Sequence, residues 1–267
     1  MFSKVLPVAV VLAVLVGACG EDLPNVASDG DQAILRVEHV GGFAPVESIL
    51  AQGPSFVLAG DRQLISLGPQ IEIFPGPLLP NYQTTPLTDE ELNQVLAAVV
   101  ATGLPEIDRK LDDSAASFVA DATTTVVTFA DENGEHVFAV YALGIGEFED
   151  PQVQELAALI DLLSQLAVSG SIAYQTDRVQ VIATEGRPQQ PEFDVVKAWP
   201  VNTTPDEFDE IHQGFGCMSF DGPQGLSLLA VFMESHELTY FAVNGTTYRV
   251  LARQLLPGEE GCTLTEF

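Results

Sequence analysis

Short apolar runs at strand spacing, separated by turn residues, alternate along this chain with longer runs at helical spacing. Residues 33–40 predict a first strand, and residues 55–58 and 63–67 predict a hairpin turning through 59–62 (AGDR). Thr88 opens a helix, with Glu91 three residues on completing a capping box. Leu92, Val95, Leu96, Val99 and Val100 follow at helical spacing, and Gly103 and Pro105 stop them. Residues 123–130 and 136–143 form the clearest hairpin, turning through Asp131-Glu132-Asn133-Gly134, where Asn-Gly can supply positive φ. Asp150-Pro151 starts a second helix with Val153, Leu156, Ala157, Ile160, Leu163 and Ala167 on one face, ending near Gly170; Leu159, Leu162 and Leu166 widen that face and predict deep burial.

The C-terminal part continues in the same style. Residues 178–184 and 193–199 read as strands, and the loop-like 185–191 (EGRPQQP) between them is the best place for two subdomains to meet. Thr204-Pro205-Asp206-Glu207 reads as a helix start, and 224–235 fits a helix better than a buried strand. Residues 238–243 and 246–255 pair through Asn244-Gly245. Hairpins interleaved with two or more amphipathic helices predict an α+β fold with a mainly antiparallel sheet over 32–267. The segment 68–86 stands apart. Pro69, Pro75, Pro77, Pro80 and Pro86 bar helix and central strand there. Its Ile71, Ile73, Phe74, Leu78, Leu79 and Tyr82 are expected to pack over a sheet, the alternative being an exposed, partly rigid docking segment.

Composition narrows the choice of partners. The chain is 46% hydrophobic, enough for a packed core. Ten Lys and Arg face 38 Asp and Glu, a net charge of −28. A surface this acidic repels nucleic-acid phosphate and does not lie flat on an anionic membrane. The acids are spread along the chain, which fits solubility better than a dedicated cation or basic-partner site.

The start of the chain is read as an address. Lys4 supplies a positive charge, 5–16 an apolar core broken only by Pro7, and Val16-Gly17-Ala18-Cys19 small residues ending in cysteine. At about 12 residues the apolar run is shorter than the roughly 20 that a spanning helix needs. A plain secretory signal also ends in small residues but gives no reason for the cysteine. The stretch resembles bacterial lipoprotein precursors. That resemblance implies that 1–18 are removed as a signal peptide and that the Cys19 sulfur carries a diacylglycerol. It places the protein on the extracytoplasmic face of the cell membrane, with the membrane itself as partner through the lipid. Residues 20–31 (GEDLPNVASDGD), with four acids and little apolar content, are expected to tether the lipidated Cys19 to the body. In such an oxidising compartment Cys217 and Cys262 form an even pair. A bridge between them would close a loop of about 46 residues, worth ~4 kcal/mol on the chain-entropy model.

The search for chemistry is mostly negative. Gly225-Leu226-Ser227-Leu228-Leu229 lacks the second glycine of a nucleophile elbow. His236-Glu237-Leu238-Thr239-Tyr240 ends in Tyr where a zinc ligand would stand. Gly144-Ile145-Gly146-Glu147 is too short for a phosphate loop, and Asp131-Glu132-Asn133-Gly134 lacks calcium-loop spacing. His39, His136 and His236 have no ligand-spaced neighbour. Asp209 and His212, at i and i+3 of a presumed helix, are weak metal candidates without a third ligand, and the helix dipole already explains acids in a first turn. Trp199, the single Trp, is expected in the core. No catalytic residue and no cofactor is expected. The body also resembles secreted lipoproteins of high-GC Gram-positive bacteria, on the closing stretch 246–257, Cys262, and seven Arg against three Lys. It transfers no site residue beyond Cys19. The expectation is a non-catalytic, lipid-anchored envelope protein that binds an envelope protein partner or serves structurally. The alternatives are a small-ligand-binding module, or an enzyme whose site is assembled from distant residues.

Overall fold

The computed structural model describes residues 23–70, 73–106, 108–111, 119–145, 148–168 and 170–262. Residues 1–18 and Cys19 lie outside the described residues, as do Ile71, Gly146 and Glu147. The fold is α+β and strand-rich: among the described residues, fourteen strands and four α-helices build two mixed sheets. The first sheet holds β1 (Ala33–Gly41), β2 (Phe56–Ala59), β3 (Gln63–Leu67), β4 (Tyr82–Pro86), β5 (Arg109–Leu111), β6 (Thr123–Asp131), β7 (Gly134–Tyr141) and β8 (Ile172–Ala173), in the order β5-β7-β6-β1-β2-β3-β4-β8. The second holds β9 (Val179–Glu185), β10 (Val195–Ala198), β11 (Asp209–His212), β12 (Phe215–Phe220), β13 (Thr239–Val243) and β14 (Thr246–Gln254), in the order β10-β13-β14-β9-β12-β11. Two pairs are parallel, β5 with β7 and β10 with β13.

Local chemistry explains several of these elements. Helix α2 (Asp89–Ala101) begins where the Thr88 hydroxyl accepts from the Glu91 N–H at 3.2 Å and the Glu91 carboxylate accepts from the Thr88 N–H at 2.8 Å. Helix α3 (Pro151–Ala167) begins where Asp150 accepts from the Gln152 N–H at 2.9 Å. The β13–β14 turn places Asn244 (φ 51°) and Gly245 (φ 86°) in the left-handed region, as a two-residue hairpin of this twist requires. The β6–β7 turn is built differently. Glu132 and Asn133 form it, only Gly134 has positive φ (135°), and Asp131 accepts from the Asn133 N–H at 2.7 Å.

Each sheet buries one face under helices. Helices α2 and α3 cover the first sheet through Val95, Val99, Leu156, Leu159 and Leu163, which meet Leu35, Val37, Phe129 and Phe138. Helix α4 (Gly222–Met233) covers the second through Leu228, Leu229 and Phe232, which meet Val181, Phe241 and Val250. Gly225 lets α4 close on the chain before β9, since a Cβ there would stand 1.8 Å from the Asp177 carbonyl oxygen. Trp199 lies in this core against Phe208, Phe232 and Phe241, and its indole N–H donates to the Thr203 carbonyl at 2.7 Å.

Three segments cross between the two sheets. Helix α1 (Val46–Ala51), between β1 and β2, sends Leu50 into a cluster with Ile182 and Cys217 of the second sheet. The proline-rich segment divides its side chains. Leu78 and Leu79 enter the second core, Tyr82 packs with Val57 and Ile65 of the first sheet, and Ile73 and Phe74 remain exposed. It is tied down by the Leu78 N–H to the Ser235 carbonyl at 3.1 Å and the Glu237 N–H to the Gly76 carbonyl at 2.9 Å. Residues 255–262 return from β14 to the first sheet, where Leu256 joins Val57, Ile65 and Tyr82.

Four expectations are corrected. The chain changes sheet at 174–178, and the stretch 185–191 lies within the second sheet, as the last residue of β9 and the start of its connection to β10. The helix expected from Thr204 is one 3₁₀ turn, Pro205–Glu207: Phe208 is drawn against Trp199 and Phe220, and the chain continues extended as β11, paired to β12. Residues 82–86, expected to be barred from a central strand, form β4 between β3 and β8; Pro86 ends it, where β8 does not reach. From Asn25 onward the expected tether packs on the body: the Asn25 side chain donates to Glu132 at 3.0 Å, the Glu132 N–H to the Asn25 carbonyl at 3.1 Å, and Val26 and Ala27 lean on the first core.

Replacing fully buried Leu156 by Ala should cost about 2–5 kcal/mol in urea unfolding, because α3 has no other means of filling that space. Met233→Ala, at a position 70% exposed on α4, should change stability by no more than about 0.5 kcal/mol.

Candidate binding cleft

Alternation along strands sets the polar layer between the sheets. β1 sends Leu35 and Val37 into the first core, so Arg36 and Glu38 project from its other face. β9 sends Val179 and Val181 into the second core and β14 sends Val250 and Ala252, so Gln180 and Arg253 project the opposite way. These four side chains line a cleft of about 440 Å³, closed on one flank by Ile49 and Leu50 of α1 and on another by residues 258–261.

The far wall is an ion-paired network, in which the Arg253 Nε is left buried without a partner among the described residues. Arg253 and Glu259 form an ion pair at 2.7 Å with side chains 9% and 8% exposed. Glu259 also accepts from the Leu256 N–H at 2.8 Å. Gln180 accepts from Arg253 at 3.3 Å and from the Cys262 N–H at 3.0 Å, and donates to the Leu50 carbonyl at 3.4 Å. Cys262 is disulfide-bonded to Cys217 of β12, with Cα atoms 5.6 Å apart. The bridge therefore fixes the end of the segment that carries Glu259 and walls the cleft.

The near wall is left open. Arg36 donates through Nη2 to the Gly258 carbonyl at 3.2 Å, its Nε is buried without a hydrogen-bond partner among the described residues, and it meets no carboxylate within ion-pair distance there. Glu38 accepts no hydrogen bond from any described residue. Burial pushes its carboxyl above the usual carboxylate range, with Arg36 pulling the other way and Glu259 adding to the rise. Neighbouring His39 is held below the ordinary imidazole range by burial, and its Nδ1 lies 3.2 Å from the Thr125 hydroxyl.

The residues singled out from sequence fall elsewhere or contribute indirectly. Asp209 and His212 stand in β11, not on a helix, where a bulge between Glu210 and His212 sets them opposite Cys217 and Phe215 of β12. No group of three or more His, Cys, Asp or Glu able to hold a metal occurs among the described residues. Sequence reasoning missed Arg36, Glu38, Gln180 and Arg253. Their signal was present: charged or amide side chains at every second position within otherwise apolar strands (LRVEHV, VQVIA, VLARQ). No helix among the described residues is long and apolar enough to cross a membrane. The chain matches no protein-family model, no curated protein and no solved structure.

Glu259→Ala should destabilise the fold by about 3–5 kcal/mol by leaving the Arg253 head buried without its counter-charge, and the double variant Arg253→Met, Glu259→Leu should recover most of the loss in urea unfolding. Glu38 gives a pH signature. A carboxyl whose value is raised on folding leaves stability intact below its ordinary value of 4.5 and costs stability as pH rises through the folded value. Glu38→Gln should therefore melt higher than the parent at pH 7, and the difference should vanish near pH 4; a difference that grows on acidification would contradict this.

Proposed function

We propose that this protein is a lipid-anchored, extracytoplasmic binding protein that performs no covalent chemistry and takes a small polar ligand between its two sheets. The observation that carries the ligand-binding part is the cleft of about 440 Å³ on whose wall Arg36 and Glu38 both stand, neither in an ion pair with another described residue. A pocket of several hundred Å³ with a few placed polar groups is the usual form of a small-molecule site. The antiparallel hairpins and the helices with one apolar face are read as the scaffold that presents this cleft. The anchoring part rests on the sequence of 1–19, with Cys19 as the acylated residue. Two or more acyl chains on one residue give stable attachment, each buried CH₂ contributing about 0.8 kcal/mol.

A second reading has its own support. β10 forms an edge of the second sheet, with Val195 and Val196 exposed, and the exposed Phe74 ring meets Phe193 edge-on at 5.3 Å beside it. An envelope protein partner docking there would use the free edge and the aromatic pair.

Native mass spectrometry of the protein extracted from its own envelope should find a small molecule bound one to one and released when Arg36 is replaced by Ala. Retention of a protein partner with no small molecule would favour the second reading instead. Cys19→Ala should move the protein out of the membrane fraction and abolish incorporation of labelled palmitate; unchanged fractionation and labelling would contradict the anchor.

A further inference from the structure

The charges in the cleft define the ligand more narrowly. Of the five charged side chains on its wall, Arg253 and Glu259 neutralise one another within the wall. Glu260 lies at the exposed rim. What remains inside is Arg36 and Glu38, two residues apart on one face of β1 and so roughly 6.7 Å apart along the strand. They do not satisfy each other. Arg36 is turned to the Gly258 carbonyl, and no carboxylate lies within 4.0 Å of its nitrogens among the described residues. A ligand carrying only negative charge would meet Arg36 but be repelled by Glu38. A ligand carrying only positive charge would meet Glu38 but be repelled by Arg36 across a site that excludes much of the screening water. A ligand with both charges a few ångströms apart satisfies both groups at once. Ile49 and Leu50 on the α1 flank offer apolar surface to whatever else such a ligand carries.

We infer, on the reading of this cleft as a ligand site, that it recognises a small zwitterion of amino-acid or dipeptide type, its carboxylate on Arg36, its ammonium on Glu38 and its apolar side chain against Ile49 and Leu50. The cleft is larger than a single amino acid, so a dipeptide fits the volume as well. Charge-assisted hydrogen bonds of this kind are roughly twice as strong as neutral ones, which makes loss of either ligand charge costly.

Titration calorimetry on the protein purified in detergent from its native membrane tests this with four probes: leucine, leucyl-leucine, 4-methylvalerate and isoamylamine. At least one of the two zwitterions should bind, and each singly charged analogue should bind at least tenfold more weakly. Arg36→Gln should remove the preference for a carboxylate, and Glu38→Gln the preference for an amine. Each variant is checked for the parental melting transition, and if Arg36→Gln does not fold, Glu38→Gln alone still decides: it should bring 4-methylvalerate level with leucine. Binding of 4-methylvalerate or isoamylamine as tight as that of the zwitterions would overturn the inference. If the native-envelope sample carries a small molecule in the cleft and ignores all four probes, the ligand class is wrong and the binding reading stands. If it carries none and binds none, both fall.

Discussion

The ion pair between Arg253 and Glu259 is the contact on which the relation of the two sheets depends. It is almost fully covered, and a covered pair is stable only when its remaining hydrogen-bonding capacity is met. Gln180 accepts from Arg253 and the Leu256 N–H donates to Glu259, while Gln180 also accepts from the Cys262 N–H, so the pair, the returning C-terminal segment and the disulfide hold one another in place. Without that segment, Leu256 would leave its seat among Val57, Ile65 and Tyr82, and the cleft would lose a wall. Helix α1 and the proline-rich segment make the reciprocal crossing from the first sheet to the second. Three crossings in both directions make the sheets parts of one body, although each has its own helices and its own core.

The polar layer between the sheets is costly compared with an apolar one, because buried polar groups contribute little net stability and are expensive when unpaired. The network around Arg253 offsets that cost by pairing both ends of the guanidinium, to Glu259 and to Gln180, though its Nε has no partner among the described residues. Arg36 and Glu38 have no ion-pair partner among the described residues, and that is what distinguishes their wall of the cleft from the Arg253 wall. The strong acidity of the whole chain acts at longer range. It keeps the body away from polyanions and from anionic headgroups, which is compatible with the lipid attachment proposed above.

What the sequence disclosed and what it hid divide along a physical line. Features decided within a few residues were legible: the capping box at Thr88, the Asp150-Pro151 helix start, the Asn244-Gly245 turn and α4 were each set by local hydrogen bonding or backbone preference. Features decided by distant packing were not. Thr204 to Glu207 carries every local mark of a helix start, yet the aromatic contacts of Phe208 with Trp199 and Phe220 end it after one turn. The parallel edge strands β5 and β10 have partners that no hairpin signal announces. The cleft belongs to this second kind. Arg36 and Glu38 are charges within an otherwise apolar strand, a signal the sequence reading passed over, and that they share a cleft with Gln180 and Arg253, more than 140 positions away, depends on how two sheets meet. The cysteine pair lies between the two cases, since even count in an oxidising compartment suggests a bridge but says nothing of the wall it secures.

The most direct test of this account is an equilibrium urea titration followed by two probes. Trp199 is the only tryptophan and reports the second sheet, whereas an amide-exchange readout on β6 and β7 reports the first. If the crossings weld the sheets, the two curves coincide with one midpoint, as a single cooperative unit requires. Curves with separate midpoints in the intact, disulfide-bonded protein would show two sheets that fold independently, and the account of a shared polar layer holding a cleft would be wrong.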